Sequence, residues 1–199
     1  MRMEGEVMDA LLVVDLQADF MPGGALGVPD GDRVIGPLNR CLDSFARRGL
    51  PVFASRDWHP AGHCSFRERG GPWPAHCVAG TPGAAFVPGL RLPPGTPVVS
   101  KAADPEREAY SAFDGTGLEA LLRRARVGRL FLGGLATEYC VLYTGRDALR
   151  LGFQPAVLEG AVAAISAPDG ERALAELAAQ GAVLLDSEEV AGWKEALRS

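Results

Sequence analysis

The chain has 199 residues, 47% of them apolar and 23% charged, with a formal charge of −5, a pI near 5.3 and a mean hydropathy of +0.06. That length supports one substantial core rather than two, so a single domain over residues 1–199 is expected. No apolar run approaches the roughly 20 residues that cross a bilayer, and the acidic balance excludes the concentrated basic surface of a nucleic-acid binder.

The densest basic run, Arg123-Arg124-Ala125-Arg126, closes a helical pattern, where the helix dipole favours cations. The N-terminal MRMEGEVMDA lacks a targeting pattern. A cytoplasmic protein with its four cysteines reduced is therefore expected, and homo-oligomerisation is left open.

Ala10–Val14 is an apolar run that reads as a buried strand ending at Asp15. Val34, Leu38, Cys41, Leu42 and Phe45 recur at helical spacing, with Gly49 as the stop. Pro51–Ser55 is a second strand, ending at Arg56-Asp57. The stretch from about 57 to 96 has no sustained period and is rich in Gly, Pro, His and Trp. A loop this long in a compact domain is functional or disordered, and its aromatics argue against disorder.

Val98-Val99 opens a short strand that delivers Lys101, and Leu118, Leu121 and Leu122 mark a helix. Leu130–Leu132 form a strand that runs into GGLATEYC, and a helix continues from Cys140 to Gly152. Ala156–Leu158 (strand), Glu171–Ala179 (helix) and Ala182–Leu185 (strand) complete the chain. Alternating helices and continuously apolar strands predict a three-layer α/β/α fold around a mostly parallel, Rossmann-like sheet. Ligand sites in such sheets lie beyond the carboxyl ends of the strands. Asp15, Asp57, Lys101 and Cys140 all fall at or just past those ends.

A thiol at a helix start sits among unpaired N–H groups, which lower its pKa and can hold an oxyanion. Cys140 is thus a candidate nucleophile, against the alternative of a small, buried, inert cysteine. A carboxylate such as Asp15 can take its proton, and an ammonium such as Lys101 favours the thiolate. All three histidines (His59, His63, His76) fall in the aperiodic loop. Asp57, His59 and His76 make an open metal set with room for water or a substrate nitrogen. A structural zinc site that uses Cys64 and Cys77, or no metal at all, are the competing readings. His63 is a fourth ligand, a partner that orients a ligand, or a rim residue. Phe20, Trp73 and Tyr110 either sandwich a flat heteroaromatic ring or pack the loops.

Five motifs run in order along the chain: VVDLQADF, SRDWHP, GGPWPAHC, SKAADPEREAYSAFDGT and GGLATEYC. Together they resemble the nicotinamidase/pyrazinamidase family of the isochorismatase-like cysteine hydrolases, over nearly the whole chain. The resemblance implies metal-dependent deamidation of nicotinamide to nicotinate and ammonia in NAD salvage, with activity on pyrazinamide. It assigns Cys140 as nucleophile, Asp15 as proton-transfer group and Lys101 as their charge partner. It gives one divalent ion to Asp57, His59 and His76, zinc first and iron or manganese as alternatives, with His63 aligned to a fourth ligand found in some members. Phe20, Trp73 and Tyr110 match the ring-contacting aromatics. A cis Leu135-Ala136 peptide would turn the Ala136 N–H toward an oxyanion beside the Cys140 N–H. Leu135 departs from the usual valine. Other superfamily hydrolases, acting on N-carbamoyl compounds or isochorismate without a ring-binding metal, form the second reading. A zinc-stabilised binding module that has lost catalysis is a third.

Overall fold

The structure, a computed structural model, describes residues 7–193. Most of the N-terminal stretch weighed above for a targeting signal lies outside the described residues. Six strands form one parallel sheet: β1 (Met8–Val14), β2 (Val52–Asp57), β3 (Val98–Lys101), β4 (Val127–Leu135), β5 (Gln154–Ala163) and β6 (Val183–Leu185), in the order β3-β2-β1-β4-β5-β6. Five helices join them: α1 (Ile35–Arg47), α2 (Leu118–Arg124), α3 (Leu142–Arg150), α4 (Ala167–Ala179) and α5 (Ser187–Ala191). The three-layer parallel fold read from the sequence is the observed one. Among the described residues, no helix is long and apolar enough to cross a membrane.

β1 shows why its residues are all apolar. Side chains on a strand alternate between faces, and here both faces are covered. Leu11 and Val13 pack on one side with Leu38, Leu42 and Phe45 of α1. Ala10, Leu12 and Val14 pack on the other with Leu118, Leu122, Ala148 and Leu177. Burying a Leu or Phe contributes about 1.5–3 kcal/mol each, so α1 is held by its apolar stripe far more than by intrinsic propensity. Truncating fully buried Leu42 to Ala would cost roughly 2–5 kcal/mol.

Several elements run longer than the sequence pattern suggested. β4 continues through the Gly-Gly pair to Leu135, and β5 extends to Ala163. The reason lies at Gly134, where φ is +136° and a Cβ would stand 1.9 Å from the Val14 carbonyl oxygen. Only glycine lets β4 pass so close to the end of β1, and this passage sets the chain carrying Cys140 beside Asp15.

Strand order reverses between β1 and β4, the switch point at which open α/β sheets leave a crevice. The sheet order then has a functional consequence. Read across β3, β2, β1 and β4, the strand ends present Lys101, Asp57, Asp15 and, five residues past the last end, Cys140.

Candidate active site

Asp15 follows β1 directly with φ +47°, and Ala102 follows Lys101 with φ +53°. These left-handed turns are unusual for non-glycine residues and bend the chain just where the polar groups stand. Asp57 and Lys101 are register partners across β2 and β3. The Lys101 ammonium donates to Asp57 Oδ1 and to the Ala109 carbonyl at 3.1 Å. It also lies 3.1 Å from Asp15 Oδ2 and 3.5 Å from Cys140 Sγ. Ser55 Oγ donates to Asp15 Oδ1 at 2.7 Å. The predicted carboxylate, ammonium and thiol are thus brought together, and all are buried.

Their protonation differs from the sequence expectation. Cys140 lies within a π-type turn, Thr137–Val141, ahead of α3. Burial pushes its thiol well above the ordinary value; Lys101 opposes this, and Asp15 and Asp57 reinforce it. Burial also raises the Asp15 carboxyl against the pull of Lys101. Lys101 stays charged, because Asp15 and Asp57 outweigh its burial and raise its ammonium well above the usual lysine range. The resting site therefore holds a thiol beside a carboxyl of raised basicity, rather than a preformed thiolate.

The aperiodic loop is ordered by backbone pairing. His59 N–H donates to the Cys77 carbonyl at 3.1 Å, and Ala79 N–H donates to the His59 carbonyl at 2.8 Å. This bridge brings the two arms of the loop together, so the rings of His59 and His76 are 4.6 Å apart. Phe66 packs against the rings of all three histidines. Carbonyl oxygens only accept hydrogen bonds, and this fixes the tautomers. His59 Nδ1 donates to the His76 carbonyl at 3.1 Å and His76 Nδ1 to the Pro74 carbonyl at 2.8 Å. In a neutral ring each Nε2 is then the lone-pair nitrogen. Burial holds the His76 imidazole below its ordinary value, against the opposing Asp57 carboxylate.

Asp57 Oδ2 lies 3.8 Å from His76 Nε2, and one ligand atom each from Asp57, His59 and His76 falls within 4.8 Å of the others. Two ligands of one zinc ion can be at most about 4.2 Å apart, twice the bond length. The set is thus nearly at ligation distance. His59 Nε2 is buried and has no hydrogen-bond partner among the described residues. A buried acceptor left bare costs free energy, and a divalent cation on these three residues would satisfy it. The residues fit such an ion.

A cleft opens above these groups. Asp57, His59, His76 and Glu108 line one side, and Cys140 and Ala136 another. The predicted aromatics Phe20, Trp73 and Tyr110 line it as well, with Trp73 Nε1 donating to the Tyr110 hydroxyl at 3.0 Å. Asp15 and Lys101 lie behind Cys140 rather than on the cleft wall. The Leu135-Ala136 peptide is cis.

His63 is not on the cleft wall. Its Nε2 donates to the Arg107 carbonyl at 3.1 Å, and its Nδ1 takes Ser65 Oγ at 2.8 Å and Ser65 N–H at 3.2 Å.

Three residues of the site escaped sequence reasoning. Gln17, fully buried, accepts the Asp57 N–H at 2.7 Å and donates to the carbonyls of Asp57 (2.8 Å) and Ala84 (2.9 Å). Tyr139 lines the cleft in edge contact with Trp73. Glu108 faces His59 Nε2 at 3.9 Å, and the Ala109 N–H donates to its Oε1 at 2.9 Å. Gln17 had a signal, standing two residues after Asp15 in an otherwise apolar run, whereas Glu108 sits among other charges.

The Isochorismatase domain matches residues 9–189. The chain is 38% identical to the nicotinamidase of Escherichia coli (strain K12), over 94% of this chain and 97% of that one. Among solved structures, the pyrazinamidase of Pyrococcus horikoshii in complex with zinc is 50% identical, with a TM-score of 0.87 over 89% of this chain and 98% of that one. PnC1 from L. infantum in complex with nicotinate is 37% identical, with a TM-score of 0.85 over 92% of this chain and 94% of that one.

Proposed function

The chain belongs to the Isochorismatase domain family, and from that premise we propose that it is a nicotinamidase that also accepts pyrazinamide, hydrolysing the ring carboxamide through a Cys140 thioester. The observation that carries this reading is one cleft with Cys140 on one wall and a cation-ready Asp57, His59 and His76 set on another. Relatives named as a nicotinamidase and a zinc-bound pyrazinamidase support it. The whole chain acts as one unit, with the 57–96 loop supplying the cation seat.

Phe20, Trp73 and Tyr110 fix the plane of the pyridine ring, so that the carboxamide carbon faces Cys140 Sγ. A divalent cation held by Asp57, His59 and His76, zinc in the first instance, would supply a Lewis-acid anchor for the ring nitrogen. Cys140 passes its thiol proton to Asp15, whose raised carboxyl suits it as the base. Sulfur then bonds to the carboxamide carbon, and the N–H groups of Ala136 and Cys140 hold the oxyanion. The C–N bond breaks as the amine takes the Asp15 proton, and ammonia leaves. Water enters and gives a proton to Asp15, its oxygen bonds to the thioester carbon, and the C–S bond breaks to return the thiol and nicotinate. Lys101 keeps Asp15, Asp57 and Cys140 in register throughout, and the nicotinate enters NAD resynthesis.

The test is ammonia release from nicotinamide by the purified protein, before and after chelation and with Zn²⁺, Fe²⁺ or Mn²⁺ restored. Release that is lost on chelation and recovered with one of these ions is expected. A protein inert toward nicotinamide with every ion would overturn the reading.

A further inference from the structure

We propose that Glu138 is a positioning residue of the cleft: by holding the Ser166 N–H it fixes Ile165 as an apolar wall against which the substrate ring seats. This rests on the nicotinamidase reading above. Leu135 and Ala163, the last residues of β4 and β5, are register partners. From there one segment runs into the turn that carries Cys140, and the other runs through Ile165 into α4. Both line the cleft, the first with Ala136, Tyr139 and Cys140 and the second with Ile165. Glu138 is not on the cleft wall; its Oε1 accepts the Ser166 N–H at 2.9 Å and so joins the two segments.

The usual local partner of that N–H is engaged elsewhere. Ser166 is the N-cap of α4, and its own side chain makes no capping bond. In a capping box the third helical residue reaches back to the N-cap N–H. That residue is Asp169 here, and its carboxylate pairs with Arg172 instead. Glu138 supplies the acceptor from the cysteine turn, and a negative charge beside a helix N-terminus is favoured.

Packing holds the same junction. A Cβ on Gly170 would stand 2.5 Å from Ala164 Cβ and 3.8 Å from Thr137 Cβ. The first turn of α4 therefore lies against the residue before Ile165 and the residue before Glu138. Ile165 in turn packs against the apolar cluster that holds Phe20, Val28 and Ala136, all three of which line the cleft. A ring seated there loses part of its apolar wall if the 164–166 segment shifts. Such a loss weakens substrate and transition state alike, so it raises KM and leaves kcat nearly unchanged.

The experiment is steady-state ammonia release from nicotinamide, with the divalent ion that supports release by the parent chain. It compares the parent with Glu138→Ala, Glu138→Gln, Ile165→Ala and the double variant Glu138→Ala/Ile165→Ala. Ile165→Ala is expected to raise KM by about 10-fold or more, as for methylenes removed from an apolar pocket. Glu138→Ala should raise KM by about threefold or more while kcat falls by less than about threefold. In the double variant KM should stay within about twofold of that in Ile165→Ala, because coupled residues are not additive. Glu138→Gln keeps an oxygen for the Ser166 N–H and should restore KM to within about twofold of the parent. Should Glu138→Ala not fold, Glu138→Asp, one methylene shorter, carries the same comparison in both backgrounds. A smaller rise in KM with only a lowered thermal midpoint, a loss confined to kcat, KM effects that multiply in the double variant, or a Gln variant as impaired as the Ala variant each overturns the proposal. A parent chain inert toward nicotinamide removes the nicotinamidase reading itself, and the proposal with it.

Discussion

Asp57 faces two sides of the site: Oδ1 takes the Lys101 ammonium, and Oδ2 lies 3.8 Å from His76 Nε2. This arrangement follows from register, since Asp57 and Lys101 are partners on adjacent parallel strands. It ties the Lys101, Asp15 and Cys140 side of the site to the histidine side. Removing Lys101 would leave the Asp15 and Asp57 carboxylates buried without their counter-charge. Breaking a buried pair in this way costs roughly 3–5 kcal/mol. Lys101→Met is therefore expected to lower urea stability by about that much and to abolish ammonia release. Lys101→Arg should not restore activity, because a planar guanidinium cannot replace a compact ammonium among four partners. Activity in Lys101→Arg within about tenfold of the parent would contradict this.

Cys140→Ala removes the sulfur and little else, since the side chain is small and its neighbours stay paired. The variant should fold with a thermal midpoint close to that of the parent and lose ammonia release by on the order of 10²-fold or more. A thioester adduct, seen by mass spectrometry of acid-quenched turnover, should appear in the parent and be missing in the variant. An adduct on any other cysteine would reassign the nucleophile.

The pH dependence follows from Asp15. Its carboxyl is raised, by burial first, above the ordinary aspartate value of 3.8. It must be ionised to accept the thiol proton. As pH falls, a raised pKa means that the carboxylate is lost earlier than in a normal aspartate. The acid limb of kcat/KM is thus expected above the usual aspartate range, and in Ser55→Ala it should move further up, because the Ser55 hydroxyl donates to the charged form. A limb below pH 4, unmoved by that substitution, would remove Asp15 as the base.

Bound cation should stabilise the fold through mass action. At 100 times its Kd, a ligand specific to the native state contributes about 2.7 kcal/mol. For a chain of this size each kcal/mol shifts Tm by about 2–4 °C. Chelation is therefore expected to lower Tm by roughly 5–10 °C, with recovery on adding Zn²⁺, Fe²⁺ or Mn²⁺. Asp57→Asn should show the low Tm with or without the ion.

The sheet was legible in the sequence because parallel strands covered on both faces are continuously apolar, and their ends carry Asp15, Asp57 and Lys101. The helix pattern around Leu38, Leu42 and Phe45 was equally plain, since one face packs and the other is wet. What stayed hidden depends on distant partners. The late end of β4 is governed by the fit of Gly134 against Val14, and the state of the Cys140 thiol by burial among carboxylates. α5 is only five residues long, too short to show a period. Glu108 lies opposite His59, 49 residues away in the chain, and local pattern carries no record of that.

Gln17 is the residue whose loss should reveal how far positioning matters. Its amide satisfies both the N–H and the carbonyl of Asp57 and reaches a third group, the Ala84 carbonyl. It thereby acts as a short extra strand at the end of β2. Gln17→Leu keeps the volume roughly and strips all three bonds. Each buried group left unpaired costs about 1–3 kcal/mol, so the variant should lose several kcal/mol in urea. Its more informative effect is on the site. With its backbone freed, Asp57 can no longer serve Lys101 and a cation together, and Mn²⁺ affinity should fall by about 10-fold or more while KM for nicotinamide rises. Gln17→Glu keeps the acceptor for the Asp57 N–H but turns an oxygen toward two carbonyls, and it should fare no better. Loss of stability with parent-like Mn²⁺ affinity would show that Gln17 supports the fold alone and that Asp57 is held by other means.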